Sequence, residues 1–232
     1  MQPRIYATAE QAAEDCARHI LVLLEDAMAA GARATLAISG GTSPKPMFQY
    51  FSGADFPWDR VHLFWVDERC VPITDPQSNF KFAYDNWLRP ASFPEANVHR
   101  VRTELSPALA AQAYTEEIQR FFGGDSLPRF EVMHLGMGSD GHTASLFPGD
   151  PLVHDRTHIA TEVWVPKMNQ WRVTLLPGVI EAARHIAMLA GGADKVAPFR
   201  AVMESTTDVL QYPAKLARSG QWFLDQAAAG RR

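Results

Sequence analysis

Short runs of uninterrupted apolar residues, each cut off by a glycine-rich or charged loop, leave few folds open to this chain. The clearest case is VMHLGMGSDGHTASL at 132–146, where an apolar run stops at Gly136 and the next residues carry glycines, one carboxylate and one imidazole. Ala34–Ile38 and Val61–Val66 are similar runs, and Phe130–Leu135 leads into the glycine loop. Segments without polar alternation read as strands buried on both faces, the pattern of a sheet with helices above and below it. Helical periodicity over 8–30, 106–122, 177–184 and 193–203 supplies such helices, and Ile159–Val165, Arg172–Leu175 and Ile186–Leu189 add β-type segments. The expectation is an α/β sandwich with a mostly parallel central sheet flanked by helices.

The chain has 232 residues, 47% hydrophobic and 21% charged, which suits one domain over 1–232 with an ordinary core. A net charge of −4 argues against a general nucleic-acid or membrane-surface binder, so an anionic ligand would need a local positive pocket. Cys16 and Cys70 form no disulfide framework and have no metal-type spacing. The N-terminus lacks a basic segment followed by an apolar one, and the longest apolar stretch, 19–24, is too short to span a bilayer. The expectation is a soluble, cytoplasmic protein, a monomer by default because no amphipathic seam stands out.

In open α/β sheets, ligands bind beyond the carboxyl ends of the strands. Three loops follow expected strands and carry unusual polar residues. The first, Ser39 to Pro46, holds Gly40, Gly41 and Thr42 before a helix with Met47, Phe48 and Tyr50. Such a junction can bind an anion through main-chain N–H groups, but it lacks the spacing of a nucleotide P-loop. The second loop, Val66 to Pro72, places Asp67, Glu68 and Arg69 directly after an apolar strand. Charges there are costly unless paired, hydrated or used, and Arg69 could grip a phosphate.

The third loop sets Asp140 two residues before His142. Histidine is the side chain suited to act as a base near neutral pH, and the carboxylate can orient it. No serine occupies a nucleophile elbow, and two ligands alone make no metal site. Arg172 and Lys195 are ordinary exposed charges if read singly; facing one pocket, they would supply the positive field that the composition lacks. The remaining histidines (His19, His62, His99, His134, His154, His158 and His185) read as structural or surface residues.

The ordered segments SGGTSPKP, VDERCVP, DPQSN, GMGSDGHTASLFP, WRVTLLPGVI, GGADK, YPA and WFLDQAAA resemble the 6-phosphogluconolactonases, within the group that includes the glucosamine-6-phosphate deaminases. The resemblance spans nearly the whole chain. It implies a Rossmann-like fold and hydrolysis of 6-phospho-D-glucono-1,5-lactone to 6-phosphogluconate in the oxidative pentose phosphate pathway, with no metal or organic cofactor. Carried over by motif, His142 is the base, Arg69, Arg172 and Lys195 bind phosphate, and Gly40, Gly41 and Thr42 lie against the substrate. Asp67 and Asp140 fall at or beside the substrate, with their roles left open. The deaminases carry DEY in the second loop and an FNEP-like run after the histidine, whereas this chain has Asp67-Glu68-Arg69 and Ser145-Leu146-Phe147-Pro148. The missing glutamate favours the lactonase. One departure is Asn79-Phe80, where the lactonases have Asn-Tyr. A deaminase and a non-catalytic sugar-phosphate-binding protein remain as the alternatives.

Overall fold

A computed structural model describes residues 2–124 and 126–231. The strands are β1 (Arg4–Tyr6), β2 (Ala34–Ile38), β3 (Val61–Trp65), β4 (Asp67–Arg69), β5 (Val98–His99), β6 (Val132–Gly136), β7 (Ala160–Val165), β8 (Gln170–Leu175), β9 (His185–Ala190) and β10 (Gln221–Asp225). The α-helices are α1 (Ala9–Ala29), α2 (Lys45–Gly53), α3 (Asn79–Ala83), α4 (Pro107–Phe122), α5 (Pro177–Ala182) and α6 (Val196–Met203).

Seven strands form one sheet in the order β1-β10-β9-β6-β2-β3-β5. Every pairing in it is parallel. The expected mostly parallel α/β sandwich is therefore borne out. Its two faces carry two apolar cores. Leu36, Ile38, Leu63 and Trp65 point into the core shared with α1 and α2. Ala37, Phe64, Met133 and Leu135 point into the core that holds α4 and α5. Helix α1 begins at Thr8, whose hydroxyl accepts from the Gln11 N–H at 3.2 Å. It buries the stripe Ala12, Ala13, Cys16, Ala17, Ile20 and Leu24. The small residues let the helix approach the sheet, and burial of Ile20 or Leu24 stabilises the fold by roughly 1.5–3 kcal/mol each. Helix α4 starts with Pro107 and stops at Gly123, whose φ of 79° is the left-handed conformation of a helix end.

Two of the expected strands lie elsewhere. β7 and β8 leave the parallel sheet and form a separate antiparallel sheet in the order β4-β8-β7. The segment Asp67–Arg69, expected as loop, is a strand because it pairs with β8 (Asp67 with Thr174, Glu68 with Val173, Arg69 with Arg172). Val66 joins the two sheets: its N–H donates to the Ile38 carbonyl at 2.9 Å and its carbonyl accepts from the Leu175 N–H at 2.8 Å.

The strand order sets the place of the site. From β2 the chain steps outward through β3 to β5, then returns to β6 on the other side of β2. The loops after β2 and β6 therefore diverge at a switch point, where an open parallel sheet leaves a crevice for ligands.

Candidate active site

A cavity open to solvent lies beyond the carboxyl ends of β2 and β6. Gly40, Gly41, Asp67, Arg69, His142, Arg172 and Lys195 all line it, so the three loops and the two later cations meet in one place. Thr42 is exposed and does not line the cavity, whereas Ser43 does. Asp140 also stands behind the lining and acts on it through His142.

The glycine loop holds His142 tightly. The Asp140 carboxylate accepts from His142 Nδ1 at 2.5 Å and from the His142 main-chain N–H at 3.1 Å. Lys167, on the turn between β7 and β8, bonds the other oxygen of Asp140. The hydrogen bonds from His142 and then Lys167 hold the Asp140 carboxyl well below the usual carboxylate range, against partial burial. An ionised carboxylate only accepts, so His142 Nδ1 carries the proton in this bond, and in the neutral form of the ring the lone pair is then on Nε2. Phe147 packs on the imidazole with ring centroids 4.5 Å apart.

Gly138 makes this arrangement possible, because a Cβ there would stand 2.1 Å from His142 Nδ1. Ala144, at the cavity wall, has a φ of 51°, a left-handed conformation unusual for a residue with a side chain. Thr143 ties the loop to β6 through the Gly136 carbonyl at 2.8 Å. Ser145 ties it to β8, its N–H donating to Thr174 Oγ1 at 3.2 Å.

The antiparallel sheet supplies charge. Arg69 and Arg172 stand directly opposite each other across β4 and β8, and both reach the cavity. Like charges in such a pair repel. Burial works against the charge of Arg172, Asp67 supports it and Arg69 opposes it in turn. Asp67 Oδ2 lies 3.8 Å from Arg172 Nη1 and accepts from Ser145 Oγ at 2.7 Å. Arg69 Nη1 donates to the Gln77 carbonyl at 2.8 Å. The Nε atoms of both arginines are buried without a partner among the described residues. Lys195 pairs with Asp194 at 2.5 Å.

Glu68 has a structural place. It is buried and accepts from the N–H groups of Asn79 and Phe80 at 2.7 Å and of Arg69 at 2.8 Å. Burial outweighs these donors and pushes its carboxyl up to about 7. The bonds pin the start of α3 against β4. Asn79 in turn packs so close to Gly40 that a Cβ there would sit 1.9 Å from Asn79 Oδ1. Phe80, the departure from Asn-Tyr, packs against Trp65 with centroids 5.6 Å apart and stays out of the cavity lining. The Cys70 thiol is pushed up to about 11, first by burial, so it stays protonated at neutral pH.

His134, expected to be structural or on the surface, is buried on β6 and also lines the cavity. The signal was an ionisable residue inside an otherwise apolar strand. Lys167 and Ser145 carried none, because their contacts come from distant segments. Among the described residues no three His, Cys, Asp or Glu side chains stand close enough to hold a metal ion.

The fold and site define an α/β protein with a switch-point cavity lined by two arginines and a lysine beside an oriented imidazole. The chain belongs to the family of glucosamine-6-phosphate isomerases and 6-phosphogluconolactonases, whose model matches residues 7–224. The 6-phosphogluconolactonase of Synechocystis is 36% identical over 208 residues, 87% of this chain and 86% of that protein. The enzyme of the same name from Nostoc is 36% identical over 215 residues, covering 90% and 89%. The solved structure of 6-phosphogluconolactonase from Trypanosoma brucei superposes with a TM-score of 0.88 at 25% identity, covering 99% of this chain and 98% of that one. The resemblance to the 6-phosphogluconolactonases is thereby borne out. No helix among the described residues is long and apolar enough to cross a membrane.

Proposed function

We propose that the chain, working as one domain over 1–232, hydrolyses 6-phospho-D-glucono-1,5-lactone to 6-phosphogluconate, a step of the oxidative pentose phosphate pathway. The observation that carries this reading is His142, oriented by Asp140 at the edge of a cavity that also holds Arg69, Arg172 and Lys195. The named relatives support the choice of substrate.

In this mechanism His142 Nε2 takes a proton from water as the water oxygen bonds the lactone carbonyl carbon. Main-chain N–H groups of the Gly40–Ser43 turn and the adjacent cations stabilise the oxyanion. The protonated His142 then gives its proton to the ring oxygen as the bond from carbonyl carbon to ring oxygen breaks. The product acid ionises and releases one proton to solvent. Asp140 keeps the imidazole in the reactive tautomer, and Asp67 holds Arg172 and Ser145 in place. Arg69, Arg172 and Lys195 bind the phosphate, so remote binding energy orients the reacting carbon. The reaction as written uses protein groups and water alone, and it needs only one copy of the chain.

The test is proton release from freshly made lactone above its spontaneous rate. His142→Ala should lower kcat by roughly 10²–10⁴-fold while phosphate affinity stays close to that of the parent. Near-normal turnover in that variant removes His142 from the role. Ammonia release from glucosamine 6-phosphate would favour the deaminase. Tight 6-phosphogluconate binding with lactone decay at its spontaneous rate would favour a binding protein.

A further inference from the structure

His134 stands where the fold asks for an apolar residue. It lies on β6, in register with Ile38 of β2 and Ala187 of β9, and its chain neighbours Met133 and Leu135 are core residues. It is 1% exposed, and neither ring nitrogen has a hydrogen-bond partner among the described residues. A buried polar group left unmatched costs stability. The residue nonetheless lines the cavity at the switch point, beside Ser39, whose N–H donates to the His134 carbonyl at 3.1 Å. Ser39 Oγ is also buried without a partner and also lines the cavity.

The chemistry of the ring narrows what it can meet. Burial holds the imidazole neutral, with its pKa down to about 3. A neutral imidazole carries one donor and one acceptor. A phosphate dianion offers acceptors only and leaves the bare nitrogen unmatched. A hydroxyl offers both functions and can answer whichever nitrogen faces it. The cavity thus has two kinds of polar lining: cations from β4, β8 and the segment after β9, and neutral groups on the floor between β2 and β6.

We propose that His134 binds a hydroxyl of the sugar ring and sets the preference of the cavity for a polyhydroxylated phosphate ester over phosphate alone. This rests on the sugar-phosphate reading above and adds a residue to it. The hydroxyl either donates to the bare nitrogen or accepts from the N–H, and no covalent bond changes.

The experiment compares the parent with His134→Leu and His134→Phe, two apolar replacements of different shape, so that poor folding of one leaves the other. His134→Asn and His134→Gln restore an amide near the position of Nδ1 or of Nε2. Dissociation constants for 6-phosphogluconate and for inorganic phosphate are measured by calorimetry, with kcat and KM for the lactone alongside. Loss of one neutral hydrogen bond predicts that the apolar variants bind 6-phosphogluconate about 3–10-fold more weakly. KM should rise by a similar factor, while kcat and phosphate affinity stay near those of the parent. One of the amide variants should recover most of the loss. A merely structural histidine would move both ligands together, and a histidine matched by a buried water would move neither; each result overturns the proposal. Lactone decay at its spontaneous rate in the parent would refute the hydrolase reading, while the ratio of the two affinities still decides His134.

Discussion

Adding one methyl group at Gly138 tests whether the His142 ring must stay where Asp140 holds it. In Gly138→Ala the new Cβ would lie 2.1 Å from His142 Nδ1, 2.2 Å from Cε1 and 2.7 Å from Asp140 Oδ1. Gly138 is not among the glycines with positive φ, so the backbone accepts alanine and the strain falls on the imidazole. Ordinary contact begins near 3.4 Å, so the ring must retreat by at least about 1.3 Å. A displacement of about 1 Å can cost roughly 10²-fold in rate. We expect kcat to fall by about that factor, with 6-phosphogluconate affinity little changed. Stability should shift by no more than about 2 kcal/mol, because the weakened His142–Asp140 bond is partly offset by lower entropy of the unfolded chain. Proton release from the lactone gives the rate, and circular dichroism with thermal melting checks the fold. A folded variant with full turnover would refute the placement of His142 as the base. A Gly138→Ala/His142→Ala double variant should be no slower than His142→Ala alone, because both changes remove the same function.

Glu68→Ala should destabilise the fold by about 3–5 kcal/mol, since it strips the acceptor from three main-chain N–H groups; an unchanged denaturation midpoint would show that water replaces the carboxylate at no cost. His134 has a folded pKa near 3, against an ordinary 6.5, so the folded state binds fewer protons between those values. Its contribution to stability is complete above pH 6.5 and is lost as pH falls toward 3, by up to about 1.4 kcal/mol per pH unit. His134→Leu should therefore lose about 2–3 kcal/mol less than the parent between pH 7 and 4.5; parallel acid limbs in denaturant melts would contradict this. Arg69→Ala should weaken 6-phosphogluconate binding about 10–100-fold and reduce its salt dependence, with a smaller effect on saturated turnover. Equal use of phosphorylated and unphosphorylated lactones by the parent would remove the phosphate role.

The parallel sheet was legible because its strands are short and apolar throughout, and Ala34–Ile38 matches the expected segment residue for residue. The antiparallel sheet was not. Asp67-Glu68-Arg69 has the composition of a solvated turn, and only its register with β8, about a hundred residues later, makes it a strand. β1 and β10 were missed for a related reason: they complete an edge of the sheet through pairing between the chain's two ends. At the site, the Asp140–His142 pair was readable because both residues lie in one loop. The bond from Ser145 to Asp67 and the contact of Lys167 with Asp140 join segments far apart, so no local pattern announces them.

The proposed anion binding rests on the placement of cations against the overall charge of −4. Arg69 and Arg172 face each other on adjacent strands, an arrangement that costs stability in an empty site. Asp67 lies 3.8 Å from Arg172 and can offset only one of the two guanidinium charges. The remaining positive charge and the two unmatched Nε atoms are what a phosphate can satisfy. The fold keeps this costly pair because β4 and β8 are tied to the parallel sheet at Val66 and to the loop carrying His142 at Ser145. The same ties fix the distance from the cations to His142. One sheet therefore supplies charge, the other supplies the neutral floor with His134, and the loop carrying His142 is fastened to both. A change that loosens Val66 or Ser145 should impair catalysis more than anion binding, because binding needs only the cations while turnover needs them in register with the base.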